Sequence, residues 1–272
     1  MVRDLYEGPA AAQMMSTLMM VMAVAPLLGP LVGGQVLAVS GWRAIFWLLA
    51  AVGVATLAVM PTLPETLPPA RRDGQSLGKT LAGYAALLHD RRLLAYAGAG
   101  GFFYAGMFAC IAGSPYVYIV VHHVPPQAYG LLFATGVVGI MAANFLSARF
   151  VHRLGSDRLL VWGAAIAVGS GVILAVDVSS GWGGLAGIVV PLFLFASMAG
   201  FIVANSILGA LSLSTAKAGS VSALIGTAQY GAGVAGSAVL GAVADGTARP
   251  MAFVIALSGI GTFVRALKSG VR

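Results

Sequence analysis

Eight carboxylates, four histidines and one cysteine are the groups in this 272-residue chain from which a catalytic or metal centre would ordinarily be built. Asp4, Glu7, Glu65, Asp73, Asp90, Asp157, Asp177 and Asp245 all fall at the ends of long apolar runs or in the polar breaks between them. A carboxylate buried within a membrane is the usual proton carrier of a pump or exchanger, and none is placed to be one here. His89, His122, His123 and His152 have no carboxylate or cysteine companions at ligand spacing, so no metal site is expected. Cys110 is solitary within an apolar run, where a small packing role is its ordinary use, and no disulfide framework exists. With no Ser/His/Asp constellation and no glycine-rich phosphate loop, the chain reads as a non-enzyme with no cofactor.

The chemical capacity that remains is uncharged. Tyr104, Asn144, Asn205, Gln229 and Tyr230 are the largest polar side chains inside apolar runs. In a helix bundle, amides and hydroxyls either stitch neighbouring helices together or line a cavity. Gln229 is directed toward the cavity role by Ser222, Gly226 and Gly233, which share a small, polar helical face with it. Met14, Met15, Met19, Met20 and Met22 would give a deformable wall for varied apolar ligands, or would simply pack against lipid.

The elements that hold these residues follow from composition. Charged residues make up 8% of the chain and hydrophobic ones 59%, with mean hydropathy +0.94, whereas a soluble domain carries roughly 25% charge. The charged residues and histidines leave apolar windows at 8–42, 44–64, 93–121, 124–148, 159–176, 178–216, 218–244 and 250–264. Crossing a hydrocarbon core takes about 20 apolar residues. The last window is short, but Arg265 and Lys268 can snorkel to the interface and extend it. The windows are continuously apolar with no period-two alternation, so they are helices rather than barrel strands. The expectation is an all-α polytopic membrane protein with about eight transmembrane helices. The opening "MVRDLYEGPA" lacks the short apolar core of a secretory signal.

Charge fixes the orientation. Of 15 Lys and Arg residues, all but Arg43 and Arg249 fall on one side of an eight-span arrangement. The positive-inside rule makes that side the cytoplasm and places both termini there. The net charge of +7 is therefore explained by topology, and a nucleic-acid partner is not expected. The longest polar break, 61–92, holds Pro61, Pro64, Pro68 and Pro69, followed by Leu77, Leu81, Tyr84 and Leu88 at helical spacing. It reads as a cytoplasmic linker carrying a surface-lying amphipathic helix.

The first window contains "APLLGPLVGG", Ala25 to Gly34. Pro26 and Pro30 lack N–H groups, so the helix can bend there. Ala25, Gly29 and Gly33 are spaced four apart and form a smooth face for close approach of a neighbour. The pattern recurs, without its prolines, at an offset of 236 − 29 = 207 residues: Ala25, Gly29 and Gly34 correspond to Ala232, Gly236 and Gly241. Phe46 and Phe253 stand at the same offset. Spans one and two thus correspond to spans seven and eight, and a six-span repeat would put four further spans before Met1.

Two six-helix halves joined by a basic linker resemble the major facilitator superfamily. Gly29, Pro30, Gly33 and Gly34 match motif C of its drug/proton antiporters, with Ala25 in place of the first glycine. "VRDLYEG", "GWRAIFW", "LPETL" and "LLHDRRLLAYA" resemble the bicyclomycin and chloramphenicol resistance (Bcr/CflA) branch. The resemblance implies that 1–60 are the last two helices of an N-terminal half, 61–92 the inter-half linker and 93–272 a C-terminal six-helix half. "SARFVHRLGSDR" resembles the second, weaker copy of cytoplasmic motif A, with Arg153 and Gly155 in place. His152 stands where that motif has Asp, so Arg149, Arg153 and Arg158 serve either as a relay or as topology anchors. The implied activity is export of small amphipathic drugs in exchange for protons across the bacterial inner membrane. The first-helix acidic residue usual in that branch would lie in the missing upstream spans. The alternative is a non-transporting membrane protein, an assembly partner or an inert remnant.

Overall fold

A computed structural model describes residues 13–14, 32–33, 35–36, 39–63, 85, 87–213 and 218–270. Seven spans long and apolar enough to cross a membrane lie among them, with no strand. Most of the first expected span, including Ala25, Pro26, Gly29, Pro30 and Gly34, lies outside the described residues, as do Leu77, Leu81 and Tyr84 of the linker. Leu88 sits exposed in a turn beside buried Leu87 rather than on a continuing helix.

The chain divides into two units, residues 1–76 and 77–272. In the first, α1 (Trp42–Val59) runs on into a tight turn, Met60–Thr62. None of its residues is buried, and the Arg43 guanidinium sits 4.6 Å from the centre of the Trp42 ring.

The second unit is a six-span bundle built from seven helices: α2 (Arg91–Pro115), α3 (Pro126–Leu154), α4 (Ser156–Ser180), α5 (Gly184–Ser197), α6 (Ala199–Leu213), α7 (Ala218–Ala242) and α8 (Arg249–Ser269). Asp90 starts α2 by accepting the amides of Arg92 and Leu93 at 2.9 and 3.1 Å, the usual duty of a short acidic side chain at a helix start. At the far end, Pro115 has no N–H for the Ile111 carbonyl, and the chain widens into a π-helical turn, Tyr116–Val121. Asp245 shapes the entry to α8: it accepts the amide and hydroxyl of Thr247, which hold its carboxyl below the usual range.

Hydrophobic burial does not drive spans together in lipid, so close packing must. α2 lies at the centre against α7, α8 and α6; α8 packs on α4, while α5 and α6 lie between α4 and α3. The contacts rest on missing side chains. A Cβ at Gly171 of α4 would sit 2.9 Å from the Cα of Ala256 on α8, and one at Gly259 of α8 would sit 3.1 Å from the carbonyl oxygen of Ala167. Within the window 178–216, residues 178–180 close α4 and Gly184–Leu213 is one span made of two helices, interrupted at Met198. The next helix restarts with Phe201 and Ile202 donating to the Met198 carbonyl. Gly200, just past the break, lies directly against the backbone of Ala143 and Asn144 on α3.

Candidate functional site

The α2–α7 pair brings two of the expected polar residues together. Tyr104 and Tyr230 meet edge to face with ring centres 5.3 Å apart, and Phe108 lies 6.0 and 6.3 Å from them. Tyr104 and Phe108 are half-buried, whereas Tyr230 is 60% exposed. Both tyrosines thus offer an apolar ring and a hydroxyl at one edge of the bundle, the pairing that suits an amphipathic ligand. Tyr104, Met107, Phe108 and Ile111 form one stripe on α2.

Along that stripe the surface dips into a cavity between α2, α3 and α5. Met107, Cys110, Ile111, Tyr118, Phe133 and Phe193 line it. Its polar edge is the pair Ser114 and Tyr129, whose hydroxyls are 3.2 Å apart. The volume is about 70 Å³, room for a few waters or a short alkyl group. None of Phe108, Ser114, Tyr129 or Phe133 was singled out from sequence. The aromatic spacing on α2 was the available signal; the partners on α3 and α5 come from distant windows.

Gln229 has its side-chain amide nitrogen buried with no hydrogen-bond partner. It lies over Gly100 of α2, where a Cβ would be 2.7 Å from it. Ser206 of α6 borders the same glycine but donates to the Val203 carbonyl. Of its expected small face, Gly233 is buried beneath Phe108, while Ser222 is exposed.

The two asparagines separate. Asn205 is buried and donates to the Ser147 hydroxyl of α3 at 2.8 Å and to the Phe201 carbonyl at 2.7 Å, so it stitches helices. Asn144 is exposed on α3, a helix other than the two that carry the tyrosine pair.

Of the repeat positions, Ala232 and Gly236 lie on the α2–α7 seam. A Cβ at Gly236 would stand 2.3 Å from the carbonyl oxygen of Ala105, and one at Gly101 would touch the Ala232 methyl at 3.6 Å. Gly241 is exposed with nothing near. Its counterpart Gly34 lies outside the described residues.

At the α3–α4 corner Gly155 takes the positive-φ conformation, +79°, that makes the turn. Arg149, Arg153 and Arg158 are exposed and, among the described residues, have no hydrogen-bond or carboxylate partner. Asp157, by contrast, faces inward and accepts the Tyr96 hydroxyl of α2. The polar link at this corner therefore runs through Asp157 rather than through the arginines.

Comparison with known proteins follows the same architecture. The family model described as Major Facilitator Superfamily matches residues 1–237. The chain is 32% identical over 265 residues to the uncharacterized MFS-type transporter YdgK of Bacillus subtilis, covering 95% of this chain and 65% of that protein. It is 29% identical over 258 residues to the bicyclomycin resistance protein homolog of Haemophilus influenzae, covering 94% and 64%. Multidrug transporter MdfA of Edwardsiella piscicida is 32% identical over 179 residues, 65% of this chain and 43% of that protein. The chain thus spans just under two thirds of the length of the first two relatives. Seven apolar spans among the described residues, six of them packed in one bundle through small residues, together with a family match over most of the length, assign this multi-pass membrane protein to the major facilitator superfamily.

Proposed function

We propose that this chain contributes the wall of a drug/proton antiporter that exports small amphipathic compounds across the bacterial cytoplasmic membrane. In this reading residues 1–60 close an N-terminal half, 61–92 link the halves, and 93–272 form the C-terminal half, with both termini in the cytoplasm. The observation that carries it is the Tyr104–Phe108–Tyr230 cluster, an aromatic and hydroxyl-bearing edge open on one side. The outer faces of the bundle support that choice of side. α4 and α8 expose large apolar groups such as Trp162, Ile173, Phe253 and Leu257, fit for lipid. α7 exposes the small or polar Ser222, Thr227, Tyr230 and Gly231 in its first half and the apolar Val234 and Val239 in its second. The names of two relatives, bicyclomycin resistance protein homolog and multidrug transporter, support the substrate class.

Alternating access in this architecture needs two bundles rocking about a site between them. Proton coupling needs a carboxylate within the membrane, and every carboxylate of this chain lies at a span end or in a loop. The proposed activity therefore requires a facing bundle that supplies the acid. Expressed alone in a drug-sensitive host, the chain should leave tolerance to chloramphenicol-like compounds unchanged. Joined to four upstream helices of the Bacillus relative, it should export drug in an uncoupler-sensitive way, and Tyr230→Ala should abolish export at equal expression. Robust, uncoupler-sensitive efflux by the purified chain alone in liposomes would overturn the requirement for a second bundle. Full export by the Tyr230→Ala chimera would overturn the site.

A further inference from the structure

We infer that the outer corner between α3 and α4 is a binding site for one anionic diacyl phospholipid. The inference is independent of the transport reading, since no residue of α2 or α7, the helices of the tyrosine cluster, lines the groove. A groove of about 440 Å³ runs between α3, α4 and α6. Leu146, Phe150 and Leu154 form one side at helical spacing, with Leu159, Trp162 and Phe201 opposite. From Leu146 to Leu154 the groove covers roughly 12 Å of helix at 1.5 Å per residue, the reach of the inner part of an acyl chain. Leu146, Phe150 and Trp162 are 42%, 38% and 55% exposed, so the groove opens to the surroundings rather than into the bundle.

Arg153 is the polar residue of the lining and marks the end of the groove at the helix termini. Arg149, one turn earlier on α3, and Arg158, in the first turn of α4, add two cations at the same corner. Among the described residues none of the three guanidinium groups has a hydrogen-bond or carboxylate partner, and Asp157, the carboxylate between them in sequence, accepts the Tyr96 hydroxyl. An apolar channel ending in unneutralised arginines matches a lipid whose chain fills the channel and whose phosphodiester meets the cations. Arginine suits this because its planar fork grips phosphate oxygens in pairs, and basic pockets between membrane helices hold anionic head groups in this manner. A zwitterionic lipid satisfies the channel but returns a positive charge to the corner, so selectivity for net negative charge is the signature.

The test is native mass spectrometry of the purified full chain titrated with palmitoyl-oleoyl phosphatidylglycerol, with phosphatidylcholine of the same chains, with dihexanoyl phosphatidylglycerol and with glycerol phosphate. One phosphatidylglycerol should be retained in preference to phosphatidylcholine. At about fivefold per cation near a membrane surface, Arg149→Ala with Arg153→Ala should weaken phosphatidylglycerol binding about 25-fold and leave phosphatidylcholine unchanged. Arg249→Ala, at the other end of the bundle, should change neither. The dihexanoyl lipid should bind at least tenfold more weakly, and glycerol phosphate should not compete. Both arginines are exposed, so the double variant should keep the parent melting temperature; Arg149→Lys with Arg153→Lys, which restores charge, should recover most of the binding. Equal retention of the two long-chain lipids, unchanged binding by the double alanine variant, or competition by glycerol phosphate would each overturn the site.

Discussion

Replacing Gly236 with alanine adds one methyl group at the tightest point of the α2–α7 seam. The new Cβ would lie 2.3 Å from the Ala105 carbonyl oxygen and 2.7 Å from its Cα. These are backbone atoms, so no rotamer change relieves the clash and the helices must separate by about 1 Å. A gap of that size forfeits a quarter to a half of each van der Waals contact; over roughly 40 atom pairs at about 0.15 kcal/mol this comes to about 1.5–3 kcal/mol, the range of overpacked cores. Gly241→Ala is the internal control. It lies on the same helix and is exposed, with nothing within 4 Å of an added Cβ, so it should be neutral or gain slightly from helix propensity. Thermal unfolding in a mild detergent, followed by tryptophan fluorescence, should place Gly236→Ala clearly below the parent and Gly241→Ala at or above it. If Gly236→Ala melts together with Gly241→Ala, the close crossing of α2 and α7 is wrong.

Asn205→Ala and Ser147→Ala should each destabilise the bundle by about 1 kcal/mol, with a double-mutant coupling of roughly 0.6–1.7 kcal/mol; strictly additive losses would show that the 2.8 Å bond carries nothing. Gln229→Leu should raise the melting temperature, because it removes a buried amide whose unmet hydrogen bonding costs about 1–3 kcal/mol, and a lowered value would mean that the amide is satisfied. For topology, cysteine at Gly155 should resist an impermeant thiol reagent in intact cells while cysteine at Ser180 labels; labelling at Gly155 would reverse the assignment of sides.

The seven described spans were legible because each is a long run almost free of charge, and α8 reaches Ser269 as the snorkelling of Arg265 and Lys268 suggests. The interruption at Met198 was not, since nothing local marks it: it coincides with Gly200 meeting α3, a contact between windows more than 50 residues apart. Pro115 was visible, but whether a proline ends, bends or widens a helix depends on what surrounds it, and here it leads into the π-helical turn. The tyrosine pair emerged from two residues picked only for size and polarity. Their meeting, and the recruitment of Phe108, depends on the glycines that let α2 and α7 approach. Asn144 shows the converse, for a polar residue in an apolar run carries no label for the face it occupies. At the motif-A-like loop the arginines drew attention by their charge, yet the inward link belongs to Asp157, whose partner Tyr96 lies in another span.

The spans are unequal in length, and this makes bilayer thickness a mechanical variable. Gly184–Leu213 holds 30 residues and Arg249–Ser269 holds 21, which at 1.5 Å per residue are about 45 and 32 Å against a hydrocarbon core of about 30 Å. α8 matches the membrane upright, with no slack. The longer span must tilt, protrude or fold back some of its length, and the interruption at Met198 lets its two segments tilt by different amounts. A thicker membrane would draw the long span upright while α8 could follow only by pulling the lipid inward. The relative slope of neighbouring helices, and with it the shear across the seams that join them, would then be set partly by the lipid composition of the host.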